Sequence, residues 1–225
     1  IHTVSDEYKA IGVKENGEYK QLNHNILQIE NELYAPVRPK QITQSGEKPT
    51  DALEKRGVMY IELRALDVNP FSPYGITLEQ MRVLDVFLLY CLLCGETELS
   101  KEQQTEAEKN QDAVVLNGRQ PDLILSRDGE QVFREAWLSA LFEEFEQIAD
   151  CFDVQYGIKA YREAIDALKP AVTDPGQTNS GKLMSELFRR STDNGYLGLE
   201  LAKQYKTEIL KRNNSEFTNA YLCEK

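Results

Sequence analysis

The chain has 225 residues, of which 26 are lysine or arginine and 37 are aspartate or glutamate, and 41% of the residues are hydrophobic. The formal net charge of −11 argues against nucleic acid and against an anionic membrane surface as partners, because both attract a basic protein surface. The longest nearly pure apolar run, Val86 to Cys94, is too short to cross a bilayer.

An acidic protein can still bind an anionic substrate if a cation lies between the two. A carboxylate about 4 Å from a phosphate costs about 4 kcal/mol at an effective dielectric constant near 20. A nucleotide site in this chain is therefore expected to use divalent metal ions. The chain opens at Ile1, its first methionine is Met59 and no secretory signal opens it, so we expect a fragment of a longer protein. Four cysteines fit a reducing compartment such as the cytoplasm.

The first elements in chain order are extended. Glu15 to Glu18 reads as a turn between two short extended pieces. The stretch Asn25 to Lys40 alternates polar and apolar residues, which predicts a half-buried antiparallel strand ended by Pro36 and Pro39. Its polar face would carry Gln28, Glu30, Glu32 and Tyr34. These acidic residues also fit an ordinary solvated strand face.

A loop with a helical turn near Thr50 leads to a second predicted strand, Val58 to Leu66. Side chains alternate across a strand, so Glu62 and Arg64 should lie side by side, roughly 6.5–7 Å apart. If both predicted strands share one sheet, their polar faces form a surface of clustered carboxylates with one arginine. Such a surface is plausible for Mg²⁺ and a nucleotide, since Mg²⁺ takes a few carboxylates together with substrate phosphates.

Helices dominate the remainder of the sequence. Thr77 and Gln80 form a capping box that opens a helix running to Cys94, which we expect to be central and to lie against the sheet. Its Cys91 and Cys94 are expected to be buried helix cysteines rather than metal or redox ligands. Further pieces are predicted as a surface helix at 100–110 and short strands at 114–116 and 123–125, with turns at Asn117–Gly118 and Asp128–Gly129. Helices are predicted at 132–152, 157–168, 182–191 and 197–211.

One short motif nearly matches a phosphate-binding loop. Gly176 to Leu183 reads GQTNSGKL, but Leu183 replaces the hydroxyl residue that would bind magnesium, and no hydrophobic strand precedes it. We interpret it as a loop between helices.

Two blocks of sequence carry a family resemblance. NILQIENELYAPVRPK (25–40) and YIELRALDVNPFSPYGI (60–76) resemble the C-terminal half of glutamate–cysteine ligase of the proteobacterial type. The resemblance implies an α+β fold, with part of a glutamine-synthetase-like antiparallel sheet followed by a helical layer. It implies residues 1–76 as the sheet-forming portion with the ATP and metal site, 77–211 as a helical layer with short extended pieces, and 212–225 as a polar tail.

The resemblance also implies an activity, ligands and residue roles. The enzyme would ligate the γ-carboxylate of L-glutamate to L-cysteine through γ-glutamyl phosphate, using ATP and Mg²⁺ or Mn²⁺, in the first step of glutathione biosynthesis. Glu62 would bind the metal, Arg64 would contact the γ-phosphate of ATP and steady the transferring group, and Tyr34 would lie near the cysteine pocket. Further residues of the site face would be Gln28, Glu30, Asn31, Glu32 and Arg38.

The front half of the family's enzyme, which would supply further metal-binding glutamates, is missing from this sequence. The chain is therefore expected to be inactive alone and to need that N-terminal half as its partner. Two alternatives stay open. One is a non-catalytic interaction module that retains a ligase-like sheet, and the other is a carboxylate–amine ligase with a different amine acceptor.

Overall fold

In the computed structural model of the protein, residues 3–29, 32, 34–95 and 98–211 are described. They fall into two units, Ile1–Asp67 and Val68–Lys225. The predicted polar tail at 212–225 lies outside the described residues. The fold is α+β with antiparallel strand pairs and many helices, as predicted.

The first unit combines two antiparallel strand pairs with two helices. Its elements in chain order are α1 (Asp6–Ile11), β1 (Lys14–Glu15), β2 (Glu18–Tyr19), β3 (Val37–Lys40), α2 (Pro49–Arg56) and β4 (Tyr60–Leu63). The predicted turn is confirmed: β1 and β2 form a hairpin around Asn16 and Gly17, and both turn residues have positive φ, as a two-residue hairpin turn requires. Pro49 opens α2, where its missing N–H is not needed.

The strand predicted from Asn25 onward is wrong in position. The structure begins β3 only at Val37, after the proline that was expected to end the strand. β3 pairs antiparallel with β4, with Val37 opposite Leu63 and Lys40 opposite Tyr60. Arg64 N donates to Pro36 O at 2.6 Å. The backbone N–H and C=O groups of the even-numbered residues of β3 therefore point toward β4. Pro39 falls between them, where no N–H toward β4 is needed.

The second unit is mostly helical. Its elements are α3 (Leu78–Leu93), α4 (Lys101–Asn117), β5 (Ile124–Arg127), β6 (Glu130–Phe133), α5 (Arg134–Tyr156), α6 (Ala160–Leu168), α7 (Pro170–Thr173), α8 (Asn179–Arg190) and α9 (Asn194–Lys211). The predicted turn at Asp128 and Gly129 is confirmed, but it joins β5 and β6 in a hairpin, and the helix predicted from residue 132 begins only at Arg134. No described helix combines the length and apolar character that a membrane span requires.

α3 begins as predicted. Thr77 accepts a hydrogen bond from Gln80 N, and the Gln80 side chain accepts one from Thr77 N, which completes the capping box. Within the second unit, α3 packs on the helices α5 and α6. The core of the unit comprises the buried side chains of Val86, Phe145, Ala149 and Ile165.

The cysteines of α3 correct another expectation. Cys91 and Cys94 are free thiols, and both are exposed rather than buried. Only Val86 is fully buried on this helix, while Leu92 and Leu93 stay largely exposed. The apolar run Val86 to Cys94 predicted more burial than the second unit provides, because a helix that packs on one side leaves its other side exposed.

The hairpin region shows where a helix replaces a predicted strand. Residues 114–116, expected to be extended, form the end of α4. Glu106 of α4 accepts hydrogen bonds from Ser126 Oγ, Asp128 N and Gly129 N, which attaches the helix to the β5–β6 hairpin. The β-branched valines of this stretch favour a strand intrinsically. They are helical here because they continue the helix that the capping box at Ser100 and Gln103 begins.

The GQTNSGKL stretch is not a phosphate-binding loop. α7 precedes it, a 3₁₀ turn spans Pro175–Gln177, and α8 starts with Thr178 as its N-cap. Thr178 Oγ1 accepts from Gly181 N, so the cap uses one of the free amide groups of the helix N-terminus. The stretch joins α7 to α8, but its last five residues, 179–183, already belong to α8 instead of a loop.

Candidate functional site

One face of the β3–β4 ribbon gathers most of the charged residues that the sequence singled out. In the register, Arg38 lies directly opposite Glu62, and Lys40 lies opposite Tyr60. Because side chains alternate across a strand, Arg38, Lys40, Glu62 and Arg64 share one side of the ribbon, while Val37, Ile61 and Leu63 take the other. We call the side with Arg38, Lys40, Glu62 and Arg64 the cationic face. It carries three cations and one carboxylate within a chain whose net charge is −11.

Glu62 is held by a cation on each of its two oxygens. Its Oε1 accepts a hydrogen bond from Arg64 Nε at 2.6 Å, and its Oε2 lies 2.9 Å from Lys40 Nζ. The predicted neighbourhood of Glu62 and Arg64 is thus confirmed. The three side chains are each about one-third exposed, at 29% for Lys40, 34% for Arg64 and 35% for Glu62.

These contacts set the acidity of the face. The hydrogen bond from Arg64, followed by that from Lys40, lowers the pKa of Glu62 from 4.5 to about 2. Conversely, the hydrogen bond to Glu62 raises the pKa of Arg64, and Tyr34 adds an electrostatic contribution in the same direction. Glu62 is therefore a carboxylate at neutral pH, and Arg64 stays a cation.

Arg64 is anchored through Nε alone. Its terminal Nη1–Nη2 edge has no hydrogen-bond partner within the described part of the chain, and this edge matches two oxygens of a phosphate or carboxylate. Because Glu62 already holds the guanidinium in one orientation, less side-chain freedom is lost when an anion binds. The arrangement suits recognition of an oxyanion.

Two of the polar residues upstream of β3 form hydrogen bonds within their own loop. The Gln28 side chain accepts from Leu22 N through Oε1 at 2.8 Å and donates from Nε2 to Asn25 O at 3.0 Å. Glu32 accepts from Gln28 N at 2.6 Å. The residues Glu30 and Asn31 lie outside the described residues. Among the described residues, β3 places Arg38 and Lys40 beside Glu62, and an acidic surface shared with Glu30 and Glu32 stays a prediction.

The donor set of the described residues does not fit a metal ion. No group of three or more histidine, cysteine, aspartate or glutamate side chains suitable for a metal occurs in the ranges that the structure describes. On the cationic face, Glu62 is the single carboxylate, and both of its oxygens are already engaged by cations. Mg²⁺ requires several oxygen ligands, so its site cannot be built from these residues alone.

Sequence reasoning missed Lys40. The residue stands two positions after Arg38, and that spacing places both cations on one side of a strand. The pattern was available in the sequence, but the two prolines were taken as the end of the strand. Proline is compatible with an edge strand at alternate positions, and β3 is such a case.

Comparisons with known proteins agree on one family. The family model described as glutamate-cysteine ligase matches residues 1–114. Similar curated proteins include the glutamate–cysteine ligase of Shewanella amazonensis, 47% identical over 92% of this chain and 39% of that protein. Another is that of Pseudoalteromonas translucida, 40% identical over 100% of this chain and 43% of that protein. The chain therefore spans about two-fifths of the length of these relatives.

Solved structures show the same relationship. A crystal structure of glutamate–cysteine ligase from Francisella tularensis in complex with AMP superposes with a TM-score of 0.75 at 34% identity, covering 94% of this chain and 42% of that one. A bifunctional glutathione synthetase from Pasteurella multocida superposes with a TM-score of 0.61 at 23% identity, over 83% of this chain and 22% of that one. The second likeness supports the fold alone.

Proposed function

The chain belongs to the glutamate–cysteine ligase family, and we propose that it forms the C-terminal part of an ATP-dependent enzyme that joins the γ-carboxylate of L-glutamate to L-cysteine. The reaction would pass through γ-glutamyl phosphate and supply the first step of glutathione biosynthesis. The observation that carries this proposal is the cationic face, where Arg64 lies with two further cations and its terminal edge has no hydrogen-bond partner among the residues that the structure describes.

Arg64 is the residue that we assign to the transferring phosphoryl group of ATP. Phosphoryl transfer depends on positioning and on neutralising charge over the transferred oxygens more than on covalent help from the protein. The terminal edge of Arg64 can donate two parallel hydrogen bonds to such oxygens, while Glu62 holds the guanidinium from its Nε side. Tyr34 is assigned to the neighbourhood of the cysteine pocket on the family resemblance.

The metal and the remaining substrate contacts are assigned to the rest of the enzyme. When bound, Mg²⁺ would neutralise the phosphate charges of ATP, but the cationic face supplies a single carboxylate among the described residues, and this carboxylate is already paired. The proposed role of Glu62 as a metal ligand thus requires further ligands from outside this face. We accordingly propose that the chain is inactive alone and that its partner is the N-terminal half of the same enzyme. Three free thiols, Cys91, Cys94 and Cys151, support a reducing compartment, which we take to be the cytoplasm.

The proposal is tested on the longest native protein that contains this chain. It is supplied with ATP, Mg²⁺, L-glutamate and L-cysteine, and both phosphate release and the dipeptide are measured. Arg64→Ala should lower kcat by about 10²–10³-fold, the usual effect of losing a preorganised donor to a developing anion. If the wild-type protein makes no dipeptide, or makes one with another amine, the assigned activity is wrong.

Arg56→Ala is the matched control. Arg56 also pairs with a glutamate of the same unit, at 2.6 Å between its Nη2 and Glu47 Oε2, and its side chain is similarly exposed. This pair belongs to the loop and helix ahead of β4 rather than to the cationic face, so kcat should stay within about threefold of the wild type, as expected for a surface ion pair. Equal losses for both variants would mean that Arg64 has no special role.

A further inference from the structure

Lys40 contributes a cation that the ion pairing of the ribbon does not need. Its ammonium reaches across from β3 to Glu62 Oε2 at 2.9 Å, although Arg64 already neutralises this carboxylate from the other oxygen. Arg38, directly opposite Glu62 in the register, has no carboxylate partner among the described residues. The face is therefore left with two positive charges in excess.

Such an excess is unfavourable unless an anion binds. Like charges on neighbouring cross-strand positions destabilise a strand pair, and long cationic side chains lose conformational freedom when one carboxylate holds them together. A ligand with several negative charges would convert this repulsion into attraction. A chain of linked phosphates is the anion class that fits best, because its successive charged groups can each meet a different cation.

We propose that Lys40 is a second phosphate-binding residue, and that Glu62 positions its ammonium beside Arg64 so that the two cations contact neighbouring phosphates of a polyphosphate chain. The identity of that chain as the triphosphate of ATP rests on the proposed function. Without a bound metal, Glu62 can orient the two cations, since it contacts Arg64 through one oxygen and Lys40 through the other. A lysine ammonium has three donors, so Lys40 can keep its contact with Glu62 and still donate to a phosphate.

The test measures binding without metal and without catalysis. Isothermal titration calorimetry with inorganic tripolyphosphate in EDTA is applied to the longest native protein containing this chain and to its variants. Lys40→Met should weaken binding by roughly tenfold, the lower end of what one hydrogen bond to a charged group contributes. Lys40→Arg, which keeps the charge, should stay within about twofold of the wild type. An unchanged affinity in Lys40→Met would overturn the proposal.

Lys55→Met is the matched control. Lys55 is also a lysine of the first unit paired with a glutamate, at 3.6 Å from Glu47 Oε1, but it belongs to α2 and lies outside the cationic face. Its loss should change the affinity for tripolyphosphate by less than twofold. Equal weakening in Lys40→Met and Lys55→Met would indicate a general effect of net charge and would overturn the assignment to Lys40.

A measurement on the wild type keeps the proposal testable if Lys40→Met does not fold. Reductive methylation of lysines, followed by mass spectrometry, should show Lys40 protected by tripolyphosphate while Lys55 reacts equally with and without it. Equal methylation of Lys40 in both conditions would contradict phosphate contact.

The outcomes separate this inference from the proposed function. Dipeptide synthesis with tripolyphosphate binding unaffected by Lys40→Met would leave the ligase activity standing and reject the role of Lys40. Weakened binding in Lys40→Met, in a protein that makes no dipeptide, would support the phosphate site and reject the proposed activity.

Discussion

Arg64 donates its Nε hydrogen to Glu62 Oε1 at 2.6 Å, from a position two residues further along the same strand face. This bond is the largest cause of the low pKa of Glu62, and Lys40 is the second. The pKa of Glu62 therefore reports whether Arg64 and Lys40 are in contact with this carboxylate.

Replacing Arg64 should therefore raise the pKa of Glu62 from about 2 toward 4.5, and replacing Lys40 should raise it less. Because the pKa of the folded state lies below the ordinary value, the contribution of Glu62 to stability is complete above about pH 4.5 and is lost as the pH falls toward 2. Side-chain carboxyl NMR of wild type, Arg64→Ala and Lys40→Met would give the three titration midpoints.

Glu186 provides an internal reference in the same spectra. Hydrogen bonds from Arg189 and then Arg190 lower its pKa to about 2, and all three residues belong to α8 and its last turn. Its midpoint should not move in either variant. A Glu62 midpoint that remains near 2 in Arg64→Ala would show that Arg64 is not its main partner.

The capping box of α3 should contribute measurably to the stability of the second unit. Thr77→Ala removes the oxygen that accepts from Gln80 N, and we expect a loss of about 1 kcal/mol in the free energy of unfolding. Urea denaturation measures this change. Ser100→Ala removes the equivalent cap from α4, a helix without buried residues, and should cost less than half as much. Equal costs would mean that packing of α3 does not add to the effect of its cap.

The core side chain Ile165 should be the most sensitive aliphatic position of α6. It is fully buried among Val86, Phe145 and Ala149, so Ile165→Ala leaves a cavity and should lower the free energy of unfolding by about 2–5 kcal/mol. Ile209→Ala in α9 is the control, because this side chain is 40% exposed and its loss should stay within about 0.5 kcal/mol. Denaturant unfolding of both variants gives the comparison, and similar losses would contradict the assigned core.

Glu106 should control the order of the β5–β6 turn. Its carboxylate accepts from Gly129 N at 2.9 Å and from Asp128 N at 3.1 Å, so Glu106→Ala should speed amide hydrogen exchange at both residues severalfold. The hydrogen bond from Ser126, followed by that from Gly129, lowers the pKa of Glu106. The attachment is therefore complete above the ordinary glutamate range and weakens as the pH falls below it.

Glu108→Ala is the control for this change. Glu108 accepts from Gln104 Nε2 within α4 and makes no contact with the turn in the contacts described for it. Its removal should leave exchange at Asp128 and Gly129 unaltered. Unchanged exchange in Glu106→Ala would show that the hairpin holds its own geometry.

Local signals in the sequence were sufficient for much of the fold. The capping box at Thr77 and Gln80 and the Asp128–Gly129 turn depend on neighbouring residues, so they could be located without knowing the tertiary structure. The side-by-side placement of Glu62 and Arg64 followed from alternation in a strand.

Features that depend on distant partners could not be predicted in the same way. The position of β3 is decided by its pairing with β4, and the alternation upstream of Pro36 looked equally strand-like. The upstream loop instead gains hydrogen bonds from the Gln28 side chain to backbone groups, which a pattern of polar and apolar residues does not reveal. The spacing of Arg38 and Lys40 was visible in the sequence, but the contact of Lys40 with Glu62 depends on the register of β3 and β4.

The proline at position 39 has a consequence for how this ribbon can grow. Its nitrogen points away from β4 and carries no hydrogen, so Pro39 interrupts the row of donors that β3 turns outward. A third strand would find one donor fewer beside β3, whereas the far side of β4 offers Ile61 and Leu63 with their amides intact. Addition of a strand is accordingly less favourable beside β3 than beside β4.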